Sequence, residues 1–194
     1  MEEQAMFMDA GQAMHFAFLM EEYEASPECM TWQAIRTVLK MLGLREKLEA
    51  MVGRTGTVNF SGLSPLEIRG QCQMIRSSIV NRLHPAESAA MLARYTLDPL
   101  VKARAIRFLS EYIFPVGTGS ERLLYDYCVL SCFSKREMEK GQRAELLERL
   151  GVKPKSAAGF VRTAKRRVRE YERRAEERMQ AVFEQGGLVS VEEA

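Results

Sequence analysis

The densest run of groups able to hold a polyanion lies at residues 151–179, GVKPKSAAGFVRTAKRRVREYERRAEERM. Between 153 and 174, nine basic side chains (Lys153, Lys155, Arg162, Lys165, Arg166, Arg167, Arg169, Arg173 and Arg174) stand against Glu170 and Glu172. Most are arginines, whose planar guanidinium offers paired donors to phosphate oxygens and to the O6 and N7 acceptors of guanine. At a helical advance of about 100° per residue, Arg162, Arg166, Arg169 and Arg173 share one side. Ala157, Val161, Ala164, Val168, Tyr171 and Ala175 form a narrow apolar seam opposite them. Such a helix buries one side and presents a basic stripe on the other, a shape suited to nucleic-acid phosphates. The plainer alternative is a solvated helix whose arginines pair with glutamates one turn away, Arg166 with Glu170 for example.

Other reactive types are sparse. Cys128 and Cys132 lie four apart and could form half a metal site, but His15 and His84 have no second ligand beside them in sequence. Buried thiols on an apolar helix are the simpler reading. GRTGT at 53–57 lacks the lysine and the strand-to-helix setting of a phosphate loop and reads as a turn. Glu21, Glu22 and Glu24 read as a solvated helix end, and Met6, Met8, Met14 and Met20 as core filler. None of these makes a catalytic set. The sequence therefore predicts a non-enzymatic protein with no cofactor and no metal.

The elements that must position the basic stretch read as helices almost throughout. Ser64-Pro65-Leu66-Glu67 is a capping box with proline at the first helical position, and Ser134-Lys135-Arg136-Glu137 repeats the box without it. Ser26-Pro27, His84-Pro85 and Asp98-Pro99 mark further helix starts, and Gly43, Gly53 and Gly151 follow apolar periodic stretches as stops do. Helices are expected near 9–24, 28–42, 44–52, 65–82, 86–95, 99–113, 120–132, 135–150 and 156–184, with loops at 53–64 and 114–120. The expected fold is all-α: a multi-helix globular domain with a C-terminal helix-turn-helix and a long terminal basic helix. Its parts are an N-terminal helical region over 1–60, a helical body over 64–187, and a flexible tail over 188–194.

The helix-turn-helix falls near 142–175. Leu146, Leu147 and Leu150 supply the inward positions of a first helix, Gly151 the turn and Val152 the apolar residue after it. Ser156 is placed to cap a second helix packed through Ala157, Phe160 and Val161. Leu147 stands where a small residue is usual, and Gly159 weakens the second helix by about 1 kcal/mol relative to alanine. The seam steps by four and three residues to Met179 and Val182, so it either zips two protomers together or forms the core face of one long helix.

Composition is consistent with this. Hydrophobic residues make up 46% and charged residues 28% of 194, enough for a sizeable core. The net charge of +2 is unevenly spread, with nine acidic and five basic residues over 1–60. That asymmetry assigns a polyanion to the C-terminal half. The opening MEEQAMFMDAGQ lacks the basic region of a secretory leader, no apolar run has membrane-spanning length, and the four cysteines are scattered. These features predict a cytoplasmic protein with no membrane partner.

The helix-turn-helix, the long Arg/Glu helix and the ending MQAVFEQGGLV together resemble small phage or prophage DNA-binding proteins. LHPAESAAMLARYTL at 83–97 looks like the helix entering the DNA-binding part of sigma-factor region 4 and of phage late-gene regulators. The nearest group is the Q-type late-gene antiterminators. Their lambda branch carries a zinc site of paired cysteines, and the absence here of any CxxC sets this chain apart from that branch. Spanning about 64–187, the resemblance implies a DNA-binding transcription regulator acting by transcription antitermination, with double-stranded DNA and RNA polymerase as partners. It implies Lys153, Lys155, Ser156, Arg162 and Arg166 as DNA-facing; the charge stripe adds Lys165, Arg169 and Arg173. The alternative is a helical adaptor that binds RNA polymerase or another host protein without reading DNA sequence.

Overall fold

The computed structural model describes residues 5–24, 63–117, 119–134 and 140–189. The helices expected at 28–42 and 44–52, most of the loop at 53–64 and the start of the helix after Ser134 lie outside the described residues. Among those described there are seven helices: α1 (Ala10–Glu24), α2 (Pro65–Arg82), α3 (Pro85–Tyr95), α4 (Pro99–Ile113), α5 (Ser120–Phe133), α6 (Lys140–Arg149) and α7 (Pro154–Gln185). They contain no strand, only one isolated parallel bridge between Phe7 and Val189. The all-helical expectation holds.

The start signals work as their chemistry requires. The Ser64 N–H donates to the Glu67 carboxylate at 2.7 Å and the Glu67 N–H returns to Ser64 Oγ at 3.3 Å. The Ser64 hydroxyl, which also donates to that carboxylate at 2.7 Å, and then the Ser64 N–H hold the Glu67 carboxyl below its usual range. Asp98 Oδ1 accepts the N–H groups of Leu100 and Val101. At the start of α3 a histidine does the capping: His84 Nδ1 accepts the Ala86 N–H at 3.2 Å, while Glu87 takes the His84 N–H. Each arrangement satisfies amide donors that the first turn leaves unpaired.

By internal contacts the chain divides into two units, and α2 and α7 each run from one into the other. The first comprises residues up to 78 together with 179–194. Its core holds Phe7, Met14, Phe18, Cys72, Ile75, Met179, Phe183 and Val189. Gly187 adopts φ +69°, letting the Leu188 N–H reach back to the Phe183 carbonyl at 2.9 Å. The Phe7 N–H donates to the Leu188 carbonyl at 2.9 Å, and Val189 is buried. The chain is thus held as far as Val189; the rest of the tail expected over 188–194 lies outside the described residues.

The second unit, 79–178, is organised around α3. Seven of its eleven residues are buried, Glu87 and Ser88 among them, so α3 is covered on most sides. Glu87 keeps its charge company by pairing with Arg178 at 3.3 Å. α3 packs on α4 and α4 on α5. Along α7, Ala157, Ala164, Val168 and Ala175 are at most 2% exposed. This decides for the core-face reading of the seam over the zipper between protomers.

Between α6 and α7 the connection is four residues, Leu150 to Lys153. Gly151 adopts φ +65°; its N–H donates to the Glu148 carbonyl and the Val152 N–H to the Leu147 carbonyl, both at 2.9 Å. This is the double closure of a left-handed helix stop, with Leu147 buried beneath it. Replacing Gly151 by alanine is expected to cost about 1 kcal/mol, because an L side chain crowds the left-handed conformation. Urea unfolding checks this; an unchanged midpoint would show that the turn does not depend on that conformation.

Candidate nucleic-acid interface

α7 begins earlier than its serine implies. The Lys153 carbonyl accepts the Ala157 N–H at 3.1 Å, which makes Lys153 the cap and puts Pro154 at the first helical position. Ser156 therefore lies inside the first turn, exposed, and does not cap the helix as its type suggests. Proline wins the position because its fixed φ suits a first turn and its missing N–H costs nothing there.

What turns the basic side outward is the packing of the opposite side. Near its start, Phe160 meets the rings of Phe114 (5.9 Å) and Tyr125 (5.2 Å), which are themselves stacked at 4.5 Å. Half-way along, Tyr171 meets Tyr112 edge-on at 5.9 Å. Arg94 of α3 donates to Glu172 at 2.9 Å, drawing that carboxylate down to 12% exposure. These contacts fix the rotation of α7 at two heights along its axis, all against α3, α4, α5 and the loop joining α4 to α5.

With the helix so held, Lys153, Lys155, Arg162, Lys165, Arg166, Arg169 and Arg173 are all exposed. Their electrostatic settings differ. Arg173 pairs with Glu177, while Arg174 and Arg167 both pair with Glu170. The pairing of Arg166 with Glu170, available by spacing, is not made. Among the described residues, no carboxylate is within ion-pair reach of Lys153, Lys155, Arg162, Lys165, Arg166 or Arg169. The sequence explains the split: residues 153–169 carry seven basic and no acidic side chains, and the glutamates begin at 170. At 1.5 Å per residue this uncompensated part of the helix extends about 24 Å, close to seven base-pair steps of duplex. Sequence reading located the stripe but did not divide it at Glu170, although the position of the first glutamate already contained that signal.

The two thiols of α5 are free. Cys128 is fully buried and Cys132 half-buried, with Cys132 Sγ donating to the Cys128 carbonyl at 3.4 Å. Burial pushes the Cys128 thiol up to about 12. It pushes Cys132 to about 11, outweighing the opposing charges of Lys165 and Arg169. The described residues contain no group of three or more metal-binding side chains. No helix among them is long and apolar enough to cross a membrane. No protein-family model matches the chain, and no curated protein matches it.

The thiol shifts have a direct chemical consequence. Cys132, raised from 9.0 to about 11, carries about a hundredfold less thiolate near pH 8 than an unshifted thiol. Peptide-resolved alkylation of the native protein should therefore find Cys132 and Cys128 at least tenfold slower than after unfolding in urea. Labelling at the rate of the unfolded chain would contradict this placement of the α5 cysteines.

Proposed function

We propose that this chain is a DNA-binding transcription regulator that engages duplex DNA through the N-terminal half of α7. One observation carries the reading: an exposed basic face about 24 Å long on which Lys153, Lys155, Arg162, Lys165, Arg166 and Arg169 have no carboxylate partner among the described residues, Arg167 alone being paired, with Glu170. Unpaired surface cations on a rigid helix cost little in water and gain most when they displace counterions from phosphates. Lys153, Lys155, Arg162, Lys165, Arg166 and Arg169 are the contacts of this reading, and Ser156 adds a neutral donor at the same end. Arg173 joins them only by releasing Glu177. In this view α6, the Gly151 turn and α7 act as a helix-turn-helix, with α7 the helix laid against the groove.

The finer assignment rests on the resemblance of residues 83–97 and of the arginine helix to phage late-gene regulators. It makes the protein a cytoplasmic factor of antitermination type with RNA polymerase as its second partner. The adaptor reading differs in one respect: polymerase capture would then survive both nuclease treatment and loss of the arginines.

Titration of a labelled duplex against salt tests the central claim. With about six phosphate contacts, the logarithm of affinity should fall against log salt with a slope near −5. Changing Arg162 and Arg166 together to alanine should flatten the slope by about 2 and weaken binding by about 10–100-fold at low salt. If the intact protein binds no duplex at low salt, the assignment is wrong.

A further inference from the structure

Gly159 occupies the second turn of α7 on its exposed side. A glycine inside a helix is unfavourable relative to alanine, so its presence asks for a reason. Its backbone is not among those with positive φ. A Cβ built there meets no atom within 4 Å. Neither conformation nor internal packing accounts for it. What surrounds it on the helix surface is distinctive: Lys155, Arg162 and Arg166 stand at i−4, i+3 and i+7, the positions that share its face. Ser156, Ala158 and Thr163 beside it are all short. The main chain of α7 is thus bare at one place, inside a frame of long cationic side chains that no carboxylate among the described residues holds.

We infer that Gly159 is the point of closest approach between α7 and a sugar–phosphate strand of duplex DNA, with Lys155, Arg162 and Arg166 reaching phosphates on either side of it. The inference rests on the reading of α7 as the duplex-binding helix and adds the depth of docking. Without a side chain at 159 the helix can lie directly against the strand, which shortens the reach of the flanking cations. A methyl group there holds the helix off all of them at once. Glycine's lack of a Cβ serves the complex, and the free protein gives up helix stability for it.

Alanine at 159 separates the two effects, since they have opposite signs. Gly159→Ala is expected to raise the melting temperature by about 2–4 °C, the shift that removing a helix glycine gives in a chain of this size. The same variant should lose about tenfold or more in duplex affinity, and Gly159→Gln, with a bulkier neutral side chain, should lose more. Gly141→Ala is the control: Gly141 is also helical and open around its Cβ, but belongs to α6. It should gain stability and keep wild-type affinity. Duplex binding by the wild type with undiminished binding by Gly159→Ala would overturn this inference and leave the DNA-binding reading standing. Equal loss in Gly141→Ala would also overturn it, because the effect would then belong to helix stiffness. Absence of wild-type binding would overturn both.

Discussion

Burial of the apolar seam of α7 is the constraint on which the outward face depends. Ala157, Ala164 and Ala175 are inaccessible to solvent. Burial of the seam fixes the rotation of α7, because turning the helix would bring Arg162 or Arg166 into an apolar contact with nothing to satisfy a guanidinium. The aromatic contacts of Phe160 and Tyr171 then secure the same rotation at separate heights. A rigid basic face is consequently a by-product of core packing.

Along the same helix the charges divide into two regimes. From Glu170 onward, arginines and glutamates neutralise one another within the helix or across to α3: Arg174 and Arg167 with Glu170, Arg173 with Glu177, Glu172 with Arg94 and Arg178 with Glu87. The exposed pairs each contribute little to stability. Their effect is on the field, since they confine uncompensated positive potential to the part of α7 before residue 170. A helix with the same composition but glutamates evenly spaced would present a neutral mosaic and attract no polyanion.

α3 supports this arrangement from below. It is an alanine-rich helix covered on most sides, and its one buried carboxylate has two tasks, accepting the His84 N–H at the cap and pairing with Arg178. A buried glutamate without those partners would be costly. With them, it ties the start of α3 to the later part of α7. The thiols of α5 sit in the same packed region as neutral, weakly polar fillers, their acidity suppressed by burial even with Lys165 and Arg169 nearby.

Much of this was legible in the chain itself. Helix starts at Pro65, Pro85 and Pro99, the stop at Gly151 and the two faces of α7 all follow from interactions spanning one or two turns, and local rules read such interactions directly. Two local readings failed: Met8, read as core filler, is exposed, and Ser156 is not the cap because two adjacent start signals competed and the proline prevailed. What the sequence left open was every choice among equivalent partners. Spacing offers Glu170 to Arg166, Arg167 and Arg174 alike, yet only the last two hold it. Nothing local says that Glu172 would be taken by Arg94, 78 residues away, or that Leu188 would be pinned by Phe7. The sequence by itself determined the helices and the sidedness of α7, because a period of 3.6 residues is a property of the backbone. Only the tertiary structure decided which arginines remain without partners, because pairing depends on which distant helices the buried seam brings alongside.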